Sequence, residues 1–281
     1  MYDFYSDTKT KPSKEMLEYA LGRTFGDEQK DEDPTTLELC ERVASLLGKE
    51  SAVFLPSGTM CNEIAISVQT SPGDEILCDR TCHIINFEGG APAAMSGVMI
   101  HPLDGKHGQF TEEDVSQALR PKSRHMPISR MLCAEQTVNL GGGGVWPVEK
   151  LDSVAQVAKK SGLSTHLDGA RLLNACAKTG ISAARYSHEY DSCWIDFTKG
   201  LGAPVGAVLA GSTDFIEAAW RVKQRIGGAM RQSGVIASFC LYALEKNVER
   251  LADDHALAIK ISSSLEHLPG IVNVLPVETN I

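Results

Sequence analysis

The chain has 281 residues, enough for one large hydrophobic core or for a large domain followed by the start of a smaller one. Its 27 basic and 36 acidic residues give a formal net charge of −9, and no basic cluster stands out. This balance argues against binding to nucleic acid or to an anionic membrane. No apolar run approaches the roughly 20 residues of a membrane span. Polar residues follow the first methionine in place of a secretory leader, so we expect a cytoplasmic protein.

The 8 cysteines lie mostly within apolar runs, as at Cys133, Cys193 and Cys240. This placement favours reduced core residues over a disulfide framework. The closest pair, Cys78 and Cys82, lacks the CxxC spacing of zinc and redox sites. We therefore predict no metal site.

Apolar periodicity predicts short buried strands that alternate with amphipathic helices. The N-terminal segment is extended through Pro12, a helix with Ser13 as its cap spans 12–22, and an acidic loop spans 25–34. The predicted strands are 51–55, 75–78, 97–101, 130–135, 163–167, 193–197 and 205–210. The other predicted helices are 35–48, 58–70, 111–119, 148–160, 213–225, 235–246 and 247–268. This alternation predicts a three-layer α/β/α fold with a mostly parallel sheet.

The first strand runs into the turn Pro56-Ser57-Gly58-Thr59, which opens a helix. A strand, a turn of small residues and a helix start present free backbone N–H groups and the positive end of a helix dipole. That arrangement suits a phosphate, and we assign Gly58 and Thr59 to it. Many βα turns share the pattern, so the assignment depends on the groups predicted beside it.

Lys199 lies where a buried strand breaks into a Gly-rich turn. Trp194, Phe197 and Leu201 offer apolar walls, and desolvation there would lower the pKa of the lysine and make its neutral amine a nucleophile towards an aldehyde. The alternative is an ordinary surface lysine, which is the commoner case for a turn.

A second strand, 163–167, ends in HLDGAR and places Asp168 at a strand end. In a parallel sheet Asp168 and Lys199 would lie at the same edge, where ligands of open α/β sheets bind. A carboxylate can hold a proton on a pyridine nitrogen while a lysine condenses with an aldehyde. Together they predict a site for pyridoxal 5′-phosphate (PLP).

Four motifs resemble those of one enzyme family: VFLPSGTMCNEIA (53–65), THLDGARLLNA (165–175), TKGLGAPVGAVLAG (198–211) and GGAMRQSG (227–234). They are similar to the low-specificity threonine aldolases, PLP enzymes in the aldolase and β-eliminating-lyase branch of the aspartate-aminotransferase fold type (fold type I). Four long motifs in the family's order are far more specific than any single pattern.

The resemblance implies a PLP-binding large domain at 1–246, including the extended N-terminal segment, and a connecting helix at 247–281 with the start of a small C-terminal domain. The rest of that small domain is absent from the sequence. It also implies an amino-acid substrate and a homodimer or homotetramer with the cofactor near the subunit interface.

For the cofactor, the resemblance implies that Lys199 holds PLP covalently and that Asp168 keeps its ring nitrogen protonated. Gly58 and Thr59 would bind the phosphate, and His83 would stack on the ring.

For the substrate, the resemblance implies that His83 takes the β-hydroxyl proton as general base. Arg171, near the cofactor's phenolic oxygen, would bind the substrate carboxylate, and Ser6 lies on the same side. The reaction expected is cleavage of a threonine-like amino acid to glycine and an aldehyde by breakage of the Cα–Cβ bond.

The sequence departs from the family at three positions. Lys30 stands where the family has an aromatic residue, and Val138 stands where it has a second histidine that contacts the substrate hydroxyl. Gln224, flanked by Lys223 and Arg225, stands where it has a lysine. Lys30 and Val138 leave open a PLP-dependent β-eliminating lyase that acts on another amino acid, and the missing C-terminal part leaves open a PLP-binding remnant with little turnover.

Overall fold

The structure, a computed structural model, describes residues 3–266, 268–271 and 275–281. Its strands are β1 Ser51–Leu55, β2 Glu75–Asp79, β3 Met99–Leu103, β4 Ser129–Glu135, β5 Ser164–Asp168, β6 Ser192–Asp196 and β7 Ala207–Gly211. Its helices are α1 Lys14–Leu21, α2 Pro34–Leu47, α3 Gly58–Gln69, α4 His83–Asn86, α5 Ala91–Ser96, α6 Glu112–Ala118, α7 Val148–Lys160, α8 Leu172–Thr179, α9 Ala183–Ser187, α10 Thr213–Arg225, α11 Gly234–Lys246 and α12 Leu251–Leu265.

The strands form a 7-stranded sheet in the order β1-β7-β6-β5-β4-β2-β3. Strands β2 to β6 pair in parallel, whereas β7 pairs antiparallel with both β6 and β1. The sheet is therefore mostly parallel, and the predicted α/β fold class is confirmed. The carboxyl ends of β4, β5 and β6 lie side by side because these strands are neighbours.

Helices cover both faces of the sheet, and the alternation of side chains along β1 shows how. Val53 and Leu55 pack in one hydrophobic cluster with residues of α3 and α10. Phe54, between them, packs in the other cluster with residues of α2 and α11. Successive side chains of a strand point to opposite faces, so a strand that is apolar from Ala52 to Leu55 needs a helical layer on each side.

The C-terminal part differs from the prediction. A helix was predicted from residue 247, but α12 begins at Leu251. The start of a small C-terminal domain, which the resemblance implies, falls partly on residues 272–274, outside the described residues, and the described residues 275–281 contain no strand. Instead, Thr279 Oγ1 donates a hydrogen bond to the carbonyl of Gly143 at 2.8 Å, so these last residues pack on the large sheet domain. The division at residues 246 and 247 stays a prediction.

Within the described residues, none of the helices combines the length and the apolar character that crossing a bilayer requires. In the same part of the chain, no group of three or more histidine, cysteine or acidic side chains is arranged to hold a metal ion.

Candidate active site

A cavity of about 440 Å³ lies at the edge of the sheet where β4, β5 and β6 end. Its lining includes all seven site residues that the sequence predicted: Ser6, Gly58, Thr59, His83, Asp168, Arg171 and Lys199. Several other residues, not predicted from the sequence as site residues, also line the cavity: they include Ser57, Phe87, Glu135, Asn139 and Asp196. Topology explains the convergence, since parallel strands bring their carboxyl ends to one edge.

Lys199 follows the end of β6, as predicted, but its surroundings are only partly apolar. Its Nζ lies 5.6 Å from the centroid of the Trp194 ring, and Phe197 is fully buried. The ammonium also forms an ion pair with Asp196, the last residue of β6. The other carboxylate oxygen of Asp196 accepts a hydrogen bond from the backbone N–H of Thr198 at 2.8 Å, which fixes the turn that carries the lysine.

Asp168 ends β5 and is completely buried. Its Oδ2 accepts a hydrogen bond from Asn62 Nδ2 at 2.9 Å, and its Oδ1 accepts one from the backbone N–H of Ala170 at 3.1 Å. Burial raises the pKa of Asp168 to about 6, against the lowering effects of His83, Asn62 and Lys199. Each carboxylate oxygen has two lone pairs, so Asp168 can still accept a hydrogen bond from a cationic ring nitrogen.

Asn62, on the buried face of α3, connects Asp168 with the residues behind the cavity. Its Oδ1 accepts hydrogen bonds from Trp194 Nε1 at 2.8 Å and from His166 Nε2 at 3.0 Å. Its Nδ2 donates to Asp168 and, at 2.7 Å, to Glu88 Oε1. Burial lowers the pKa of His166 to about 3, so this imidazole is neutral. Asn62 was not among the residues predicted from the sequence, although a polar residue in the partly apolar segment MCNEIA was the available signal.

His83 begins α4, and two carboxyl groups hold it. Its backbone N–H donates to Glu135 Oε2 at 2.9 Å, and its Nδ1 lies 2.7 Å from Glu88 Oε1. The imidazole also contacts the ring of Phe87, with centroids 5.4 Å apart. Burial alone lowers the pKa of His83, but the hydrogen bond to Glu88 and the charges of Asp168 and Glu88 outweigh it, so the net shift is upward.

Arg171 precedes α8, and most of its guanidinium is occupied by a residue of the N-terminal segment. Its Nε lies 2.8 Å from Asp7 Oδ2, and its Nη2 lies 2.7 Å from Asp7 Oδ1. Asn280 Nδ2 also donates to Asp7, at 3.0 Å, and Ser6 Oγ donates to it at 3.3 Å. Sequence analysis assigned Arg171 and Ser6 to a substrate carboxylate but did not identify Asp7, their common partner.

The N-terminus of α3 opens towards the cavity. Ser57 caps this helix by accepting a hydrogen bond from the backbone N–H of Met60 at 3.3 Å. The first N–H groups of a helix, here those of Gly58 and Thr59, have no partner within the helix. A Cβ on Gly58 would lie 2.2 Å from the ring of Trp194, so only glycine lets the start of the helix approach the indole this closely.

The two departures that bear on the substrate pocket lie away from its lining. Val138 is 1% exposed, and a Cβ built at Gly108 or Gly141 would lie within 2.3 or 2.8 Å of its Cγ1. Lys30 is exposed at the end of a short turn of 3₁₀ helix. Among the described residues that line the cavity, neither occurs, whereas Asn139, next to Val138, does.

The groups around the cavity fit PLP. A lysine amine, a buried carboxylate with accepting capacity, an imidazole and the N-terminus of a helix face one space of a size usual for cofactor sites. The fold and the cavity are those of an α/β enzyme, with a candidate cofactor site at the carboxyl edge of the sheet.

Comparisons with known proteins identify the family. A family model described as "Beta-eliminating lyase" matches residues 3–281. The chain is 39% identical to the probable low-specificity L-threonine aldolase 2 of Arabidopsis thaliana, over 99% of this chain and 80% of that protein. It is 36% identical to the low specificity L-threonine aldolase of Escherichia coli K12, over 94% of this chain and 79% of that protein.

Solved structures agree with these sequence matches. A putative L-allo-threonine aldolase from Listeria monocytogenes has a TM-score of 0.82 at 25% identity, covering 99% of this chain and 79% of that one. A threonine aldolase from Leishmania major has a TM-score of 0.88 at 22% identity, covering 99% and 83%. The chain belongs to the β-eliminating lyase family, and the resemblance predicted from its four motifs is confirmed.

Proposed function

We propose that the chain is a PLP-dependent aldolase that cleaves a β-hydroxy-α-amino acid of the threonine type to glycine and an aldehyde. The observation that carries this proposal is that Lys199, Asp168, His83 and the N-terminus of α3 all face one cavity. The threonine aldolases among the relatives support the choice of reaction.

Bound PLP supplies an electron-accepting ring that stabilises the negative charge left on the substrate Cα. Lys199 would hold the cofactor through its amine. Asp168 would keep a proton on the ring nitrogen through the oxygen lone pairs that Asn62 and Ala170 leave free. The backbone N–H groups of Gly58 and Thr59 would bind the phosphate.

Orientation of the substrate selects which bond at Cα breaks. Ser6 and the part of the Arg171 guanidinium that Asp7 leaves free would hold the substrate carboxylate so that the Cα–Cβ bond is the one presented for cleavage. His83 accepts the proton of the β-hydroxyl group as the C–O bond becomes a carbonyl. The proton that His83 takes from the β-hydroxyl group balances the one that Cα must gain to give glycine.

One observation favours a second candidate, a β-eliminating lyase. His83 is the one imidazole among the described residues that line the cavity, and residue 138, where the resemblance implies a second histidine, is a buried valine. An elimination would release ammonia and a keto acid in place of glycine and an aldehyde.

The test begins with an absorbance spectrum of the purified chain with PLP, followed by borohydride reduction and peptide mapping. We expect PLP to become fixed on Lys199 and the Lys199→Ala variant to retain none. Glycine and acetaldehyde from L-threonine would support the aldolase, whereas ammonia and a keto acid would support the lyase. Covalent PLP without any product from β-hydroxy amino acids would identify a cofactor-binding remnant.

Assembly as a homodimer or homotetramer and a cytoplasmic location stay predictions from the sequence. Light scattering of the PLP-loaded protein tests the first of these.

A further inference from the structure

Glu88 lies directly behind His83, on the side away from the cavity. Its side chain is 0% exposed, whereas that of His83 is 30% exposed. One oxygen, Oε1, lies 2.7 Å from His83 Nδ1 and 2.7 Å from Asn62 Nδ2. Glu88 does not occur among the described residues that line the cavity. It contacts the lining residue His83 directly and reaches a second one, Asp168, only by way of Asn62.

The hydrogen bonds of Asn62 determine which atoms carry protons. Trp194 Nε1 can only donate, so the Asn62 atom it contacts is the carbonyl oxygen, and the amide nitrogen must face Glu88 and Asp168. Glu88 Oε1 therefore already accepts one hydrogen bond. A second bond to the same oxygen is strongest when His83 donates it from Nδ1 to a carboxylate.

A second buried carboxyl, Glu63, lies beside Glu88. No described residue forms a hydrogen bond with Glu88 Oε2 or with either oxygen of Glu63. Burial and the neighbouring Glu88 raise the pKa of Glu63 to about 8, so Glu63 is neutral at physiological pH.

We propose that Glu88 is a positioning residue that holds His83 with its proton on Nδ1 and leaves Nε2 facing the cavity as the proton acceptor. A carboxylate behind a histidine fixes both its tautomer and the orientation of its ring, and it stabilises the cation that forms when Nε2 takes a proton. The tautomer follows from the contacts of this chain alone. Its kinetic consequence rests on the proposed function.

Several other titratable or charged groups face His83, and the test has to separate them from Glu88. They are Asp168 at the end of β5, Glu135 at the end of β4, Lys199 after β6 and Cys82 next in sequence. None of them changes in the Glu88→Gln variant, which keeps the shape of the side chain and an oxygen acceptor but removes the charge. The matched control is Glu63→Gln, which exchanges one neutral group for another.

The direct test is ¹⁵N NMR of the imidazole rings in the protein without cofactor, with His83 assigned through a His83→Gln variant. We expect the Nδ1–H tautomer in the wild-type protein. In Glu88→Gln the pKa of His83 should fall by about one unit, the direction expected when a neighbouring carboxylate is lost. In Glu63→Gln the tautomer and the pKa of His83 should both stay as they are in the wild type. An Nε2–H tautomer in the wild type, or an unchanged pKa in Glu88→Gln, would overturn the proposal without requiring any variant to be active.

The kinetic test uses the PLP-loaded enzyme and L-threonine. His83 must be neutral to accept a proton, so activity is lost as the pH falls through its pKa. This loss forms the acidic limb of the plot of kcat against pH. In Glu88→Gln we expect the acidic limb to move to lower pH and kcat to fall about tenfold, because a weaker base is a weaker catalyst. KM should stay within about twofold, since Glu88 does not reach the cavity. A purely structural role would lower kcat without moving the limb, and that result would also overturn the proposal. If the wild type does not cleave threonine, the proposed function fails and the NMR result still decides the tautomer.

Discussion

Asp7 and Arg171 form a two-point ion pair beside the cavity, with Nε–Oδ2 and Nη2–Oδ1 distances of 2.8 and 2.7 Å. Their side chains are 8% and 4% exposed. This pair fixes the extended N-terminal segment across the edge of the sheet, where Tyr5, Ser6 and Thr8 join the cavity lining. It also fixes the guanidinium that the proposed function assigns to the substrate carboxylate.

The variant Asp7→Asn tests this relationship. It keeps one acceptor oxygen but removes the charge, and loss of one partner from a buried ion pair lowers the free energy of unfolding by about 3 kcal/mol. We expect KM for threonine to rise more than kcat falls, because Arg171 loses its fixed position before the substrate binds. Urea unfolding and steady-state kinetics measure the two effects. An unchanged KM alongside reduced stability would show that Asp7 acts on the fold alone.

The pH dependence of stability offers a separate test of the same pair. Burial alone raises the pKa of Asp7, but the hydrogen bond and charge of Arg171, helped by Asn280 and Lys199, hold it below its ordinary value. A carboxyl with a lowered pKa in the folded state stabilises the fold above its unfolded pKa of about 4 and loses this effect as the pH falls through the folded pKa. The stability difference between the wild type and Asp7→Asn should therefore be largest at neutral pH and shrink below about pH 4. A stability difference between the two proteins that does not vary with pH would contradict a lowered pKa of Asp7 in the folded state.

Lys223 and Glu28 form a second buried pair, away from the cavity. Lys223 Nζ lies 2.9 Å from Glu28 Oε1 and 4.0 Å from the centroid of the Trp220 ring, and the two side chains are 0% and 2% exposed. The pair joins the acidic N-terminal loop to the C-terminal end of α10. Gln224 and Arg225, which the sequence analysis considered beside Lys223, are exposed.

A double-mutant cycle measures this second pair. Lys223→Met leaves a buried carboxylate without its partner and should cost about 3 kcal/mol of unfolding free energy. Adding Glu28→Gln removes the unpaired charge, so the double variant should be less destabilised than the sum of the two single variants. Strict additivity would mean that the two charges do not interact. Thermal and urea unfolding give the required values.

The sequence predicted the regular elements well where the apolar pattern was strong. The bounds of β1, α7 and α10 agree with those predicted at 51–55, 148–160 and 213–225. The site residues at strand ends could also be predicted, because a polar residue such as Asp168 directly after an apolar strand must lie at the edge of the sheet.

The partners of those residues could not be predicted in the same way. Asp7 and Arg171 are 164 residues apart in the chain, and Asn62 and Asp168 are 106 apart. Such contacts depend on how the N-terminal segment and α3 pack on the finished sheet, and no local pattern records that. The antiparallel direction of β7 could not be predicted either, because its apolar run is compatible with a parallel or an antiparallel strand.

The variant Val138→His tests whether this position can supply a second catalytic imidazole. The side chain of Val138 packs tightly between Gly108 and Gly141. A larger, polar ring there would overpack the site and bury nitrogen atoms without partners, so we expect unfolding free energy to fall by about 2 kcal/mol. Cleavage of threonine should not increase. The control Val138→Thr adds polarity without volume and should cost less. A gain in kcat at unchanged stability would show that residue 138 can reach the substrate.

The variant Gly58→Ala tests the proposed phosphate site. Its Cβ would lie 2.2 Å from the ring of Trp194, which also donates a hydrogen bond to Asn62. Either the indole or the start of α3 must move, and overpacking of this kind costs about 1–3 kcal/mol. Because the moving parts would hold the phosphate, we expect PLP to bind about tenfold more weakly, a change of about 1.4 kcal/mol.

A matched control for Gly58→Ala is Gly144→Ala. A Cβ at Gly144 would lie 3.5 Å from its nearest neighbour, Gln109 Nε2, which is an ordinary contact. Fluorescence titration with PLP compares the affinities of the two variants for the cofactor. Titration with pyridoxal, which lacks the phosphate, separates the contribution of the phosphate from that of the ring. If α3 binds the phosphate, Gly58→Ala should weaken PLP binding much more than pyridoxal binding, and Gly144→Ala should change neither. If binding of the two ligands weakens equally, the substitution acts by moving the Trp194 ring, and the phosphate would then have to bind elsewhere.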